Sequence, residues 1–358
     1  MGVTGTRHVR VSFSRTAVLV IGIYLFFVSG ASTAQEGTGS HHTDRGFRNV
    51  YLKEDHGFSD FIQWRWERMW KEIPSADSYR FPLAKNDPAF LRSNRNHTTL
   101  TWIGHATLLL QMHGENVLTD PQFSERASPV QWAGPKRVVP PGISMEDLPD
   151  IDIVIISHDH YDSLDVNTLR RLYSRPGGDK TMFYVPLGLR EWFQKLGINN
   201  VVEMDWWEER EREGLRIIAV PMQHWGKRSP FSRNDHLWAS WVLIADDFRF
   251  YFGGDTGYSP HFRETGDRFG PFDLALLPIG AYEPRWFMKD HHINPEEAVQ
   301  AHIDLRSNLS VAMHWGTFML TDEPLDEPPV RLMKAMEEND IADNAFLVLQ
   351  HGETIILD

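Results

Sequence analysis

Two histidines one residue apart, with a carboxylate two residues further on, define the first candidate chemistry: His158, His160 and Asp162 in the segment SHDHYDSLD. In extended backbone, residues i and i+2 project the same way, so the two imidazoles can grip one ion from one side. Asp162 can reach the same region or a neighbouring ion. Three more donors follow apolar runs: His224 in VPMQHWG, Asp255 in YFGGDTGY and His314 in VAMHWGTF. Imidazoles and carboxylates together suit Zn²⁺, with Fe or Mn as alternatives. Gly253 and Gly254 carry no side chain, so a neighbouring backbone or an ion can come close beside Asp255. A single HxH pair is a weak signal, but four donor groups, each at the end of an apolar run, make a specific one.

The elements that must position these donors are short apolar runs alternating with polar helices from Thr98 onward. TTLTWIGHATLLLQM (98–112) and ENVLTDP (115–121) read as paired strands joined at His113-Gly114, and IDIVIIS (151–157) as a buried strand. VNTLRRLYSR reads as a helix, TMFYVPLG as a strand, and LREWFQKLGI (189–198) as a helix closed by Gly197. The second half repeats the plan. LRIIAVPMQH, HLWASWVLIA, FRFYFGGDTG, FDLALLPIG and SNLSVAMHWG are strands, and NPEEAVQAHIDL is a helix with Asn294 as N-cap and Pro295 at its first position. Two mixed sheets packed face to face with helices outside fit this pattern.

The chain has 358 residues, 36 Lys and Arg against 49 Asp and Glu, a net charge of −13, 17 His and no Cys. The acidic balance argues against nucleic acid as a partner, because phosphate contacts need clustered cations. The missing cysteine excludes disulfides, thiolate zinc sites and Cys nucleophiles. Residues 1–34 form a separate unit. Arg7, Arg10 and Arg15 precede the apolar run Ala17 to Val28, and Ser32 and Ala34 follow as small residues, the layout of an export signal cleaved before Gln35. An uncleaved anchor is the lesser alternative, the run being shorter than the roughly 17–25 residues of a span. Residues 35–97 read as an extension. His41 and His42 sit in a solvated Gly/Ser/Thr-rich tail, and an amphipathic, aromatic helix follows from Phe58, ended by Pro74. That helix either packs on the main domain or presents an aromatic surface to lipid.

The blocks WIGHAT (102–107), LTDP (118–121), GPKR (134–137), HYD (160–162), QHW (223–225), FGGDTGY (252–258), PIGAYEPRWFM (278–288), NPEEAV (294–299) and HWGTF (314–318) occur in this order. They resemble the metallo-β-lactamase fold, and within it the N-acyl-phosphatidylethanolamine-hydrolysing phospholipase D group. The resemblance covers 98–358 and implies a four-layer αβ/βα sandwich of two mixed β-sheets flanked by helices. It also implies that His158, His160 and His224 hold one zinc, that Asp162 and His314 hold a second, and that Asp255 bridges them. A water activated between two cations would be the nucleophile, with Asp162, Asp255 and His292 as the catalytic residues and Asp120 orienting a ligand from behind.

One departure matters. The family pattern HxHxDH has a sixth-position His where this chain has Ser163, a poor zinc ligand. The second ion is then expected to bind more weakly, to be a harder metal, or to be absent; Asp165 is a remote substitute. His105 either approaches the metal or plays a structural part. Arg285 can meet a phosphodiester with its planar fork or form a structural salt bridge, and Tyr282, Trp286 and Phe287 would be apolar walls. His97, His236, His261, His302 and His351 read as ordinary histidines. The expectation is an exported metallo-hydrolase acting on a phospholipid or other phosphodiester, with contact to a membrane surface and a homodimer as further expectations. A lactonase or small-phosphodiester hydrolase is the alternative, β-lactam hydrolysis a third, and a non-catalytic, metal-stabilised lipid-binding protein the alternative of another class.

Overall fold

Strands form where short apolar segments are bounded by glycine, proline or polar turns. The computed structural model describes residues 6–9, 40–52, 56–229, 232–246 and 248–357. Its strands are β1 (Thr6–Val9), β2 (His42–Thr43), β3 (Gly46–Phe47), β4 (Thr98–Gly104), β5 (Thr107–Met112), β6 (Glu115–Thr119), β7 (Ile153–Ile155), β8 (Met182–Pro186) and β9 (Val201–Met204). They continue as β10 (Glu209–Arg212), β11 (Leu215–Val220), β12 (Ser240–Ala245), β13 (Phe248–Phe252), β14 (Leu274–Pro278), β15 (Ser310–Met313), β16 (Phe346–Leu347) and β17 (Thr354–Leu357). The α-helices are α1 (Phe58–Arg68), α2 (Pro88–Ser93), α3 (Val166–Ser174), α4 (Arg190–Lys195), α5 (His261–Phe269), α6 (Arg285–Met288), α7 (Pro295–Asp304) and α8 (Glu327–Glu338).

One large sheet has the order β1-β17-β4-β5-β6-β7-β8-β9, a second runs β10 to β16 in sequence order, and β2 and β3 form a separate two-stranded sheet. Each half begins antiparallel (β4 to β6, β10 to β13) and turns parallel (β6 to β9, β13 to β16). Parallel neighbours need crossovers, and α3, α4, α5, α7 and α8 lie in them. Strand alternation separates two layers of core. Leu108, Leu110, Ile153 and Ile155 join Trp102, Trp238, Trp241 and Phe250 in one cluster. Leu109, Val154 and Ile156 turn the other way, to meet Leu169 and Leu172 of α3 and Phe193 of α4. Helices outside two facing sheets are the expected four-layer sandwich.

Local signals largely hold. Asn294 caps α7 by accepting from Glu297 N at 2.9 Å, and the Glu297 side chain returns to Asn294 N at 3.1 Å. The run 98–112, read as one strand, is instead the β4–β5 hairpin. Gly104 (φ 142°) and His105 (φ 56°) take left-handed backbone and turn the chain there. In the first residues, β1 pairs with β17 inside the segment read as a leader, whose apolar run lies outside the described residues.

Helix α1 has two faces. Trp64 is buried, stacks on Phe287 at 5.4 Å and donates to Asp322, which also pairs with Arg68 and Lys71. Ile62 and Trp66, with Met69 and Trp70 just beyond the helix, are exposed. No helix among the described residues is long and apolar enough to cross a membrane.

Candidate metal centre

The donors sit at the carboxyl ends of strands. The loop after β7 carries His158, His160 and Asp162; His224 follows β11, Asp255 follows β13 and His314 follows β15. His160 Nδ1 lies 2.9 Å from His158 Nε2 and 3.2 Å from His224 Nε2. Tetrahedral zinc with bonds of 2.0–2.1 Å places its ligand atoms about 3.3 Å apart, so these three nitrogens face one ion position. The opposite ring nitrogens fix the tautomers. Ser157 Oγ donates to Asp120 Oδ2 (2.5 Å) and is left to accept from His158 Nδ1–H (2.8 Å), while His224 Nδ1–H donates to the His291 carbonyl (3.0 Å). Asp120 thus orients His158 through Ser157. Gly254, at φ 60°, packs so close to Ser157 that a methyl group there would lie 2.6 Å from its Cβ.

A second set adjoins the first. His314 Nε2 is 3.5 Å from Asp162 Oδ2 and 3.0 Å from Asp255 Oδ2, which lies 3.8 Å from His158 Nε2. Asp255 therefore faces both sets. His105 Nε2 lies 3.1 Å from Asp162 Oδ2. Ser163 is fully buried, and its hydroxyl makes no hydrogen bond among the described residues. Asp165 caps α3, accepting from Asn167 N, Ser124 N and Thr168 Oγ1, so it does not stand in as a ligand.

Charge follows burial. Desolvation holds His158 at about 4 and pulls His160 and His224 below the usual imidazole range, leaving their lone pairs available near neutral pH. Burial alone would raise Asp162 and Asp255, but the neighbouring His105 and His314 keep Asp162 low, and His314 and His158 keep Asp255 low. The reciprocal effect outweighs desolvation at His314, which Asp255 and Asp162 push up to about 10. The two carboxylates therefore call for positive charge at a buried point, which a divalent cation supplies. Asp255 Oδ1 is buried without a partner among the described residues, and Oδ2, an ion-pair neighbour of His314 Nε2 at 3.0 Å, lacks hydrogen-bond geometry to it. An orphaned polar group of this kind costs about 1–3 kcal/mol, so the donor set fits a metal better than it fits itself.

A cavity of about 560 Å³ opens over these donors. His160, Asp162, Asp255 and His292 face it, with walls from Phe61, Trp64, Trp225, Phe287 and Met288, and with Lys227 and Arg233 as its cations. Three expected substrate residues are placed elsewhere. Both terminal guanidinium nitrogens of Arg285 are engaged, Nη2 on Glu297 at 2.8 and 2.9 Å and Nη1 on the His292 carbonyl, so its fork positions α6 against α7. Tyr282 is fully buried, donates to Glu327 and lies under Arg331. Trp286 bonds Glu67 of α1 from the outer surface, and of the expected walls Phe287 alone lines the cavity. Trp225, Lys227 and Arg233 lie between β11 and β12, where no sequence periodicity marks them. His41 and His42, read as solvated tail, both meet Asp205, at 2.6 and 2.7 Å, and His41 stacks on Trp206. His236 bonds Asp159 between the two ligand histidines, at 2.8 Å.

The sequence model of the beta-lactamase superfamily domain matches residues 115–315. Over 265 residues the chain is 44% identical to N-acyl-phosphatidylethanolamine-hydrolyzing phospholipase D 1 of Caenorhabditis elegans, covering 71% of this chain and 74% of that protein. The chain belongs to the metallo-β-lactamase superfamily. It is a metal-dependent hydrolase of that fold, close to the phospholipase D group. A mitochondrial Saccharomyces cerevisiae protein of the same description is 35% identical over 69% of this chain and 53% of its own length. Among solved structures, a possible metal-dependent hydrolase of Veillonella parvula superposes with a TM-score of 0.58 at 19% identity, over 73% of this chain and all of that one. The isothiocyanate hydrolase from Delia radicum gut bacteria gives 0.57 at 22% identity, over 72% and 98%. These two likenesses concern the fold.

Proposed function

We propose that this hydrolase is a phosphodiesterase acting on an N-acyl phosphatidylethanolamine-like phospholipid, releasing phosphatidate and an N-acyl ethanolamine-like alcohol. The observation that carries the reading is the cavity, which joins buried metal donors to apolar walls and two cations in one space. The activity named for the worm and yeast relatives supports it. Divalent ions, zinc first among them, would supply a nucleophilic water at neutral pH and offset the charge of the anionic transition state.

The protein's own groups do the rest. Asp120 and Ser157 lock His158, and the His291 carbonyl locks His224. Lys227 and Arg233 face the cavity where phosphate oxygens can be received. His292, half-buried and held neutral at about 3 by desolvation, faces the cavity and would exchange a proton with substrate. Trp64, Phe287 and Met288 exclude water. The exposed outer face of α1 and its end, with Trp66, Met69 and Trp70, suits contact with a lipid surface. Action outside the cytoplasm belongs to the same proposal and rests on the basic-then-apolar leader.

Purified protein should hydrolyse bis-p-nitrophenyl phosphate and release phosphatidate from N-acyl phosphatidylethanolamine vesicles. Chelation, or His158→Ala or Asp255→Ala, should abolish both and lower bound metal. Activity confined to the small diester would overturn the lipid assignment; full activity in either variant would overturn the metal centre.

A further inference from the structure

The second donor set holds an imidazole that the strand-end pattern did not assign to it. His105 sits at the β4–β5 hairpin tip, 1% exposed, with a left-handed backbone (φ 56°) that costs a non-glycine residue about 1–2 kcal/mol. Such an outlier persists where its surroundings over-determine it. Here they do. His105 N donates to Thr317 Oγ1 at 2.8 Å, and its carbonyl accepts from His314 N at 3.0 Å and from Trp102 Nε1 at 3.0 Å. His314 is itself left-handed (φ 61°), and the two rings lie 3.9 Å apart. Two strained loops, one from each half, are thus tied backbone to backbone and deliver their imidazoles to one point.

At that point are two carboxylates. Asp162 Oδ2 is 3.1 Å from His105 Nε2 and 3.5 Å from His314 Nε2, and Asp255 Oδ2 is 3.0 Å from His314 Nε2. These spacings bracket the about 3.3 Å edge of a tetrahedral zinc site. One donor atom each from His105, Asp162 and His314 fall together within 4.8 Å. We propose that His105 is a direct ligand of the second metal ion, giving that site His105, His314, Asp162 and the shared Asp255, and so taking the role left open by Ser163. This rests on the metal-centre reading above and replaces the expectation that Ser163 leaves the second ion one nitrogen short.

The test is metal stoichiometry on the full, folded protein, stripped and then titrated with Zn²⁺ and counted by native mass spectrometry. Wild type should hold two ions, His105→Gln one, and His105→Gln with Ser163→His two again. Retention of two equally tight ions by His105→Gln, or a single ion in wild type, overturns the proposal while leaving the first site intact. No ion in wild type refutes the metal-centre reading and the proposal with it. Should the variants fail to fold, Co²⁺-loaded wild type carries the test. Its proton spectrum should show a paramagnetically shifted imidazole N–H beyond those of His158, His160, His224 and His314, and absence of that signal overturns the assignment.

Discussion

Gly254→Ala separates the cost of a backbone conformation from the cost of moving a metal ligand. The new methyl would lie 2.6 Å from Ser157 Cβ and 3.2 Å from Met222 Sδ. Carbon atoms settle about 3.5–4.0 Å apart, so roughly 1 Å must be found by moving Ser157 or the loop that bears Asp255. Ser157 cannot move alone, since its hydroxyl is tied to Asp120 at 2.5 Å and to His158 at 2.8 Å. The displacement therefore reaches the first ion's ligands from either side. Gly197→Ala is the control. Gly197 has φ 83° and nothing within 4 Å of its notional methyl. Both variants should lose roughly 1–2 kcal/mol from the left-handed backbone, read as a fall in the urea midpoint. Gly254→Ala alone should weaken the first ion tenfold or more in competition with a chromophoric chelator. It should also lower kcat/KM about 100-fold, the scale expected for a displacement of about 1 Å. Equal ion affinity in Gly254→Ala and wild type would refute this reasoning, as would an equal loss in Gly197→Ala.

His302, and His351, which Thr317 links to His105, should make stability depend on pH. Burial holds them at about 4 and about 3, so the unfolded chain binds more protons below about 6.5, and stability should fall as pH drops from there towards 4 by up to about 1.4 kcal/mol per pH unit per group; urea titrations in which His302→Gln kept the full slope would contradict this. Arg285→Ala should cost about 1 kcal/mol with little change in KM, whereas Arg233→Ala or Lys227→Ala should raise KM for a phosphodiester, and the reverse pattern would return Arg285 to the substrate. When expressed with an export pathway, the mature chain should start near Gln35 by N-terminal mass analysis; a product still carrying Leu19 to Phe27 would favour an anchor, and would also keep β1 on the sheet edge.

The donors were legible because their placement is local. His158, His160, His224, Asp255 and His314 each follow a strand whose apolar run marks its own end, and α7 announces itself by Asn294, Pro295 and Glu297. What stayed hidden depends on partners distant in sequence. Arg285 looks like a phosphate clamp until Glu297, across the α6–α7 turn, takes its fork. His42 looks solvated until Asp205 meets it from 163 residues away. The hairpin at His105 interrupts an unbroken apolar run, because Gly104 turns the chain without changing hydropathy. Lys227 and Arg233 are two cations among many, and the sequence that presents them, between β11 and β12, carries no helical or strand period.

The donors come from both halves of the sandwich, His105, His158, His160 and Asp162 from one and His224, Asp255 and His314 from the other. Each bound ion is thus a cross-link between the two sheets, added at this end to a few hydrogen bonds such as His314 N to the His105 carbonyl and Ala239 N to the Ser157 carbonyl. Loading at a thousand times the dissociation constant adds about 4 kcal/mol to the folded state, and it adds them across the seam. Metal supply then governs cooperativity as well as activity. The loaded chain should melt as one unit, while the stripped chain should let its halves loosen separately, broadening the transition and opening the seam to proteases. In a metal-poor surrounding, the protein would be removed before it could persist as an inactive shell.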